Sequence, residues 1–143
     1  MNLFRIFDVT GSGMSAQRTR MSVVSGNLAN AETTRTPEGG PYRRKDAVFA
    51  STGVSSPFAS FFNGEVQASG VTVDEIVTDT RDPELRYLPG HPDANGEGYV
   101  AFPRGNPAED MVDLMGASRG YQANVAAIQA VKDMIERSFD LLR

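Results

Sequence analysis

The 143-residue sequence contains no cysteine, no tryptophan and a single histidine. Without cysteine the chain forms no disulfides, thiolate nucleophiles or sulfur-ligated metal clusters, and one histidine leaves few options for a metal site or a catalytic triad. A chain without cysteine is also compatible with a place outside the reducing cytosol. We therefore predict a protein that is not an enzyme and has no metal ion or cofactor.

Long apolar runs and an excess of positive charge are also missing. No stretch approaches the roughly 18 to 20 apolar residues of a membrane-spanning helix. Arg5 and Asp8 interrupt the apolar start and no basic leader precedes it, so we expect no cleavable secretory signal. With 14 basic and 18 acidic residues the net charge is −4, which provides no general attraction for nucleic acid.

Proline is confined to the middle of the chain, since all 8 prolines lie between Pro37 and Pro107. The flanks lack helix-breaking proline, whereas the middle contains short β-branched or aromatic runs between turn residues. These predict an α+β fold in which two long terminal helices enclose a small β-rich middle. The predicted parts are an N-terminal helix at 1–31, an extended connector at 32–70, a β-rich subdomain at 71–106 and a C-terminal helix at 107–143, with strands at Val71–Val77, Leu85–Leu88 and Tyr99–Phe102 and further pieces at Ala47–Phe49 and Phe61–Phe62.

Both flanks contain apolar residues at heptad spacing. Asn106 can cap the second helix and Pro107 suits its first position. The pattern fits a coiled-coil-like hairpin whose outer surfaces pack on neighbouring subunits, and it fits equally two amphipathic helices on one small core. The predicted seam residues are Phe7, Met14, Met21 and Leu28 in the first helix and Leu114, Tyr121, Ile128, Ile135 and Leu142 in the second.

Two segments imitate ligand-binding motifs. Gly11–Ala16 matches the G-x-G-x-x-A dinucleotide fingerprint, but the repeated strand–helix units of a dinucleotide fold are missing. Asp93–Gly98 imitates the first half of a calcium loop, but Arg104 stands where the closing carboxylate belongs. We expect flexible glycines in or before a helix in the first case and a turn in the second.

The remaining polar candidates also lack a catalytic pattern. His91 lies in a Pro-Gly-His-Pro turn without a partner nucleophile, and we expect a surface or capping role. Asp74 and Glu75 are adjacent on a predicted strand and should point to opposite faces. The Arg43–Lys45 run is expected to be solvated.

Two segments resemble signatures of the bacterial flagellar rod and hook protein family. Ser25–Thr33 reads Ser-Gly-Asn-Leu-Ala-Asn-Ala-Glu-Thr, similar to the Asn-Leu-Ala-Asn signature that ends the family's first helix. Ala117–Val125 resembles the family's Ser-Arg-x-Tyr-Gln-x-Asn segment in the last helix, with Gly120 where serine is common. Pro89–Val100 resembles the middle of a proximal rod member. The signature residues are Asn27, Leu28, Ala29 and Asn30 and, in the last helix, Ser118, Arg119, Tyr121, Gln122 and Asn124.

The resemblance implies a structural subunit of the flagellar basal-body proximal rod, which crosses the periplasm and helps transmit torque. It implies export by the flagellar type III apparatus without a cleaved signal, self-association, and contacts with other rod proteins, the basal-body adaptor and inner-membrane ring components. Asn27 and Asn30 would then either cap the first helix or contact neighbouring subunits. Two other functions stay open at this point, a soluble cytosolic coiled-coil adaptor and a small dinucleotide-binding enzyme that uses Gly11–Ala16.

Overall fold

The computed structural model describes residues 3–52 and 69–140, and side chains from residue 6 onward. The predicted strand at Phe61–Phe62 and the seam residue Leu142 lie outside the described residues. Two long helices enclose four strands, which confirms the predicted α+β class. The elements in chain order are α1 (Leu3–Ala29), β1 (Lys45–Thr52), β2 (Gly70–Thr78), β3 (Glu84–Tyr87), β4 (Tyr99–Phe102) and α2 (Pro107–Asp140).

The ends of the helices follow from local hydrogen bonding. Asn106 caps α2, because its Oδ1 accepts the N–H of Ala108 at 3.0 Å and its carbonyl accepts the N–H of Asp110 at 3.1 Å. Pro107 is the first helical residue, where its missing N–H costs no hydrogen bond. The predicted start of the second helix is therefore confirmed.

The two helices pack antiparallel, with small residues at their closest approach. Gly13 of α1 lies beside Asn124 of α2, and Gln17 of α1 lies beside Gly120. One turn further, the Arg20 Nη2 atom lies 3.1 Å from Oδ1 of Asp113. Because α2 has 34 residues and α1 has 27, α2 is longer by about 10 Å at 1.5 Å per residue.

The strands form two separate two-stranded antiparallel sheets. In the first, β1 pairs with β2 from Lys45–Thr78 to Thr52–Gly70, with a bulge after Val48. In the second, β3 pairs with β4 from Glu84–Phe102 to Tyr87–Tyr99. The segment at 32–70 thus includes a strand that provides hydrogen-bond partners for β2 and is more than an extended connector. The boundaries at residues 31, 70 and 106 stay a prediction.

The β1–β2 hairpin lies along α1. Asn27 contacts the first residue of β1, and Ser12 Oγ accepts the N–H of Val71 at 3.1 Å near the far end of the hairpin. The helix rises about 22 Å between residues 12 and 27, and the strand covers about 23 Å between Lys45 and Thr52. Because these lengths match, the pair of strands can follow α1 from the contact of Asn27 with Lys45 to the contact of Ser12 with Val71.

The buried apolar core of the described residues is small. It combines alanine and valine from the helices with two residues of β4, of which Val100 is the largest fully buried side chain. No helix in the described part of the chain is long and apolar enough to cross a membrane. The core residues are Ala16, Val24, Val100, Phe102, Ala117 and Val131.

Candidate assembly surfaces and the junction that supports them

A buried asparagine joins the end of α1 to the start of β1. Asn27 is 3% exposed; its Nδ2 donates to the Lys45 carbonyl at 2.7 Å, and its Oδ1 accepts the Lys45 N–H at 2.9 Å. The same oxygen accepts the Tyr42 hydroxyl at 3.1 Å. The amide of Asn27 therefore provides hydrogen-bond partners for both the N–H and the carbonyl of Lys45.

Asn30, three residues later, ends the helix. Its Nδ2 donates to the Gly26 carbonyl at 2.9 Å, which also accepts the backbone N–H of Asn30 at 3.2 Å. Its Oδ1 accepts the Thr33 hydroxyl at 3.2 Å. Asn30 thus hydrogen-bonds within the last turn of α1, whereas Asn27 contacts the returning chain. The choice between capping and subunit contact for the signature asparagines stays a prediction.

A buried ion pair connects this junction to α2. The Arg44 guanidinium lies 3.1 Å from Oδ1 of Asp110 in the first turn of α2, and further from Asp46 and Asp113, at 3.4 and 4.0 Å. Asp110 is 3% exposed, and its Oδ1 has no hydrogen-bond partner among the described residues. Arg44 therefore approaches this oxygen as a charge, without hydrogen-bond alignment.

Burial shifts two pKa values at the junction. The pKa of Asp110 is raised above its usual 3.8, mainly because burial disfavours the carboxylate; Arg44 opposes this shift, and Asp113, Asp46 and Glu109 reinforce it. The pKa of Tyr42 is raised by burial and by the charge of Asp110. The junction thus contains a buried carboxyl group whose nearest positive charge is Arg44.

The predicted seam residues lie half-buried on both helices. None of the eight described seam residues is among the buried residues, and contacts between the helices include those of Gly13 with Asn124 and of Gln17 with Gly120. The half-buried seam residues are Phe7, Met14, Met21 and Leu28 on α1 and Leu114, Tyr121, Ile128 and Ile135 on α2. The larger apolar side chains therefore keep accessible surface in the single chain.

The second signature segment contributes interhelical contacts through Gly120 and Asn124. Asn124 packs on Gly13, while Tyr121 and Ser118 are half-buried. Arg119 and Gln122 are exposed. Leu28 is half-buried and Ala29 is exposed at the end of α1.

Comparison with known proteins identifies the family. The model of the flagella basal body rod protein matches residues 7–35, and the C-terminal model of the flagellar basal body rod FlgEFG proteins matches residues 98–141. The flagellar basal-body rod protein FlgC of Bacillus subtilis is 43% identical, with 99% of each chain covered. The chain belongs to the FlgC family.

Two further FlgC proteins give the same result. That of Borreliella burgdorferi is 38% identical, with 100% of this chain and 99% of the relative covered. That of Escherichia coli O6:H1 is also 38% identical, with 99% and 98% covered. The resemblance to flagellar rod proteins is confirmed, and this FlgC-family chain is a structural subunit of the flagellar basal-body rod.

The two segments that resemble ligand-binding motifs have structural roles in this FlgC-family chain. Gly11–Ala16 lies inside the continuous helix α1, so it cannot form the strand–turn–helix of a dinucleotide site. In the Asp93–Gly98 turn, Asn95 Oδ1 accepts the N–H groups of Glu97 and Tyr99 at 3.0 and 2.9 Å. His91 Nδ1 accepts the Asp93 N–H at 3.1 Å. Within residues 3–52 and 69–140, no group of three or more acidic or histidine side chains is placed to hold a metal ion.

Sequence reasoning missed three members of the junction. Arg43 and Lys45 are exposed as expected, but Arg44 is largely buried against Asp110, so the expectation of a solvated run is wrong for Arg44. Tyr42 and Asp110 carried no signal of burial. The sequence did indicate a different role for Asp110, because it lies in the first turn of α2, where the helix dipole favours a carboxylate.

Proposed function

We propose that this chain is a subunit of the proximal flagellar rod and that it polymerises through its two terminal helices. Family membership supports the place in the rod. The observation that carries the mechanism is the distribution of side chains on the helices. Small and polar residues contact the opposite helix within the chain, and the larger apolar residues are half-buried and keep part of their surface accessible.

Burial of the half-exposed rows supplies a driving force for assembly. Full burial of a large apolar side chain contributes about 1.5–3 kcal/mol, and a half-buried one gains part of that. Ordering of mobile chain ends reduces the total. Several such side chains on each helix therefore provide a cooperative interface with neighbouring subunits.

The wider setting follows from the same family. We propose that the subunit is exported by the flagellar type III apparatus without a cleaved signal and crosses the periplasm as part of the rod. In the rod it would contact other rod proteins, the basal-body adaptor and inner-membrane ring components, and help transmit torque. We propose no enzymatic activity and no cofactor, since the role of a structural rod subunit requires neither.

Deletion and complementation test this proposal. An in-frame deletion of the gene in its own organism should remove hooks and filaments, as seen by electron microscopy. The wild-type gene should restore them, whereas chains truncated at either end should not. We expect Met21→Asp to fail as well, because it places a charge in the apolar row that would be buried between subunits.

Ser22→Asp is the matched control, since Ser22 is exposed and is the next residue of the same helix. It should restore filaments, as should Met21→Leu, which keeps the apolar surface. Circular dichroism of the purified chains would verify that Met21→Asp still folds. Normal filaments in deleted cells, in an organism with one copy of the gene, would contradict the rod assignment; rescue by Met21→Asp would contradict the assembly mechanism.

The two other functions have no observation in their favour. The dinucleotide enzyme requires a phosphate-binding turn where α1 is continuous. The cytosolic adaptor shares the helical periodicity, but family membership supports the rod.

A further inference from the structure

An arginine-rich cleft lies where β2 ends, beside the chain that enters β1. Arg43, Arg44, Arg81 and Arg104 line it together with Asp79. Pro41 and Pro83 form part of its wall. The cleft encloses about 40 Å³, which is room for a carboxylate group but not for an organic cofactor.

Two of the four arginines, Arg43 and Arg104, form no ion pair within the described residues, although the charge of Arg104 also acts on the Asp79 carboxylate. Arg44 pairs with Asp110, and Arg81 binds both carboxylate oxygens of Asp79. Arg43 donates only to the backbone carbonyl of Asp79, at 3.2 Å. Arg104 is exposed and forms no ion pair or hydrogen bond with the described residues. A chain of net charge −4 therefore presents a local site for anions.

A matching acidic surface lies on the same chain. Asp74 and Glu75 are exposed neighbours on β2, and neither forms an ion pair within the described part of the chain. The bulge places Glu75 opposite Val48 and Val73 opposite Phe49, so Asp74 has no cross-strand partner. Ile76 and Val77 follow and are 46% and 43% exposed.

Three other carboxylates of the middle of the chain fit the cleft less well. Asp93 accepts the Thr34 hydroxyl at 2.8 Å and lies near Arg35, and Glu84 pairs with Arg86. Glu97 is exposed but is a single charge in a turn. The bulge at Asp74 interrupts the regular alternation of side chains along β2. The Asp74–Glu75 pair therefore offers two adjacent carboxylates that form no ion pair within the described residues, with apolar residues beside them.

The acidic pair cannot reach the cleft of its own chain. Asp74 is five residues from Asp79, which is about 16 Å along a strand. A contact between the two surfaces therefore requires two molecules. Because different surfaces of each copy would meet, such a contact can repeat from one copy to the next.

We propose that the Asp74–Glu75 pair of one copy binds the arginine cleft of a neighbouring copy, with the carboxylate of Asp74 held by Arg43 and Arg104. The exposed Ile76 then packs near Pro41 and Pro83. This contact rests on the proposed function, which brings copies together in the rod, and it adds to the helix-mediated assembly a lateral contact made by the middle of the chain.

Cysteine cross-linking tests the contact directly, because the chain has no cysteine of its own. Thr80→Cys lies between Asp79 and Arg81 at the cleft, and Ile76→Cys lies beside the acidic pair; both positions are exposed and neither removes a charge. Cells of the deletion strain would express the two variants together. After mild oxidation of isolated basal bodies, a non-reducing gel should show a disulfide-linked dimer.

Glu97→Cys paired with Thr80→Cys is the control for the competing acidic turn. A dimer with Glu97→Cys and none with Ile76→Cys would overturn the choice of Asp74–Glu75. The absence of both dimers from basal bodies that contain the two variants would overturn the contact itself.

Charge exchange gives a second, independent test. Arg104→Glu and Asp74→Arg should each reduce filament number by about tenfold, the effect of losing roughly 1.4 kcal/mol of binding. The two changes in one chain should recover most filaments, and Arg104→Lys should behave as wild type. Purified variants should keep the wild-type melting temperature, which separates assembly from folding.

The results of these experiments separate a failure of this contact from a failure of the proposed function. If wild-type complementation restores filaments and both single reversals do so equally, the rod assignment stands and the contact is wrong. If the deletion strain itself makes normal filaments, the proposed function fails first.

Discussion

The side chain of Asn27 shows how a single residue fixes the path of the chain. It provides a donor and an acceptor to one residue 18 positions later and an acceptor to Tyr42. A buried N–H or C=O without a partner costs about 1–3 kcal/mol, so the backbone of Lys45 depends on this amide. The signature asparagine is therefore a structural support for the entry into β1.

We predict that Asn27→Ala lowers the free energy of unfolding by about 2–3 kcal/mol, because Lys45 and Tyr42 lose buried partners. Tyr42→Phe removes one of the three hydrogen bonds and should cost about 1 kcal/mol. Urea unfolding of the purified chains, followed by circular dichroism, measures both. Equal losses for the two variants would show that the pairing with Lys45 contributes nothing.

We predict that Asp110 makes stability depend on pH. Its raised pKa means that the folded chain binds the proton more tightly than the unfolded chain, so this contribution to stability falls as the pH rises above 3.8 and levels off once the pH exceeds the folded pKa. Asp110→Asn is neutral at every pH and should gain stability relative to wild type over that window. The difference between their unfolding free energies, measured from pH 3 to 7, tests this. Asp133→Asn, an exposed acidic residue of the same helix that is not among the charges acting on Asp110, is the control. A pH-independent difference for Asp110→Asn would be contrary to expectation.

At the scale of elements, two glycines lie where α1 and α2 contact each other. A Cβ atom at Gly13 would lie 3.0 Å from Nδ2 of Asn124, and one at Gly120 would lie 3.2 Å from Cδ of Gln17. Gly11 and Gly116 face open space. The sequence by itself does not distinguish the glycines that meet the other helix from those that do not.

We predict that Gly13→Leu destabilises the chain by about 1–3 kcal/mol through overpacking against α2. Gly11→Leu, two residues away on the same helix, should stabilise it by up to about 1 kcal/mol, because leucine favours helix and the site has space. Thermal unfolding monitored at 222 nm compares the two. Similar effects of both substitutions would mean that the helices do not approach at Gly13.

At the scale of the whole molecule, the small core implies that the subunit is completed by its neighbours. Large apolar side chains on both helices keep accessible surface, and α2 carries exposed Met111, Val112, Met134 and Phe139. Segments with few buried apolar contacts open with a low free energy. The terminal helices should therefore be less stable in the single chain than in the rod.

We predict fast amide exchange in the outer parts of both helices in the isolated chain at low concentration, and much slower exchange in assembled rods. Hydrogen–deuterium exchange with mass spectrometry can compare the two states. The peptide that includes β4 serves as the internal reference, since Val100 and Phe102 are already buried in the single chain. Strong protection of both helices in the isolated chain would refute assembly through mobile ends.

Local patterns in the sequence were sufficient for the elements. Heptad spacing, the Asn106–Pro107 start and the confinement of proline to the middle predicted two long helices around a β-rich centre, because helix formation and capping depend on residues close in the chain. The family signatures at both ends indicated the rod. These features are properties of short segments, so they can be read without the fold.

The tertiary structure alone decided which residues meet. The pairing of β1 with β2 joins segments far apart in sequence, and the burial of Arg44 against Asp110 requires the start of α2 to lie beside the end of α1. Heptad rows predicted the large apolar residues as the seam, which stays a prediction, and the structure adds contacts between the helices at Gly13, Gln17 and Asn124. Periodicity defines the faces of a helix, but only packing determines which face meets its own partner and which remains for a neighbour.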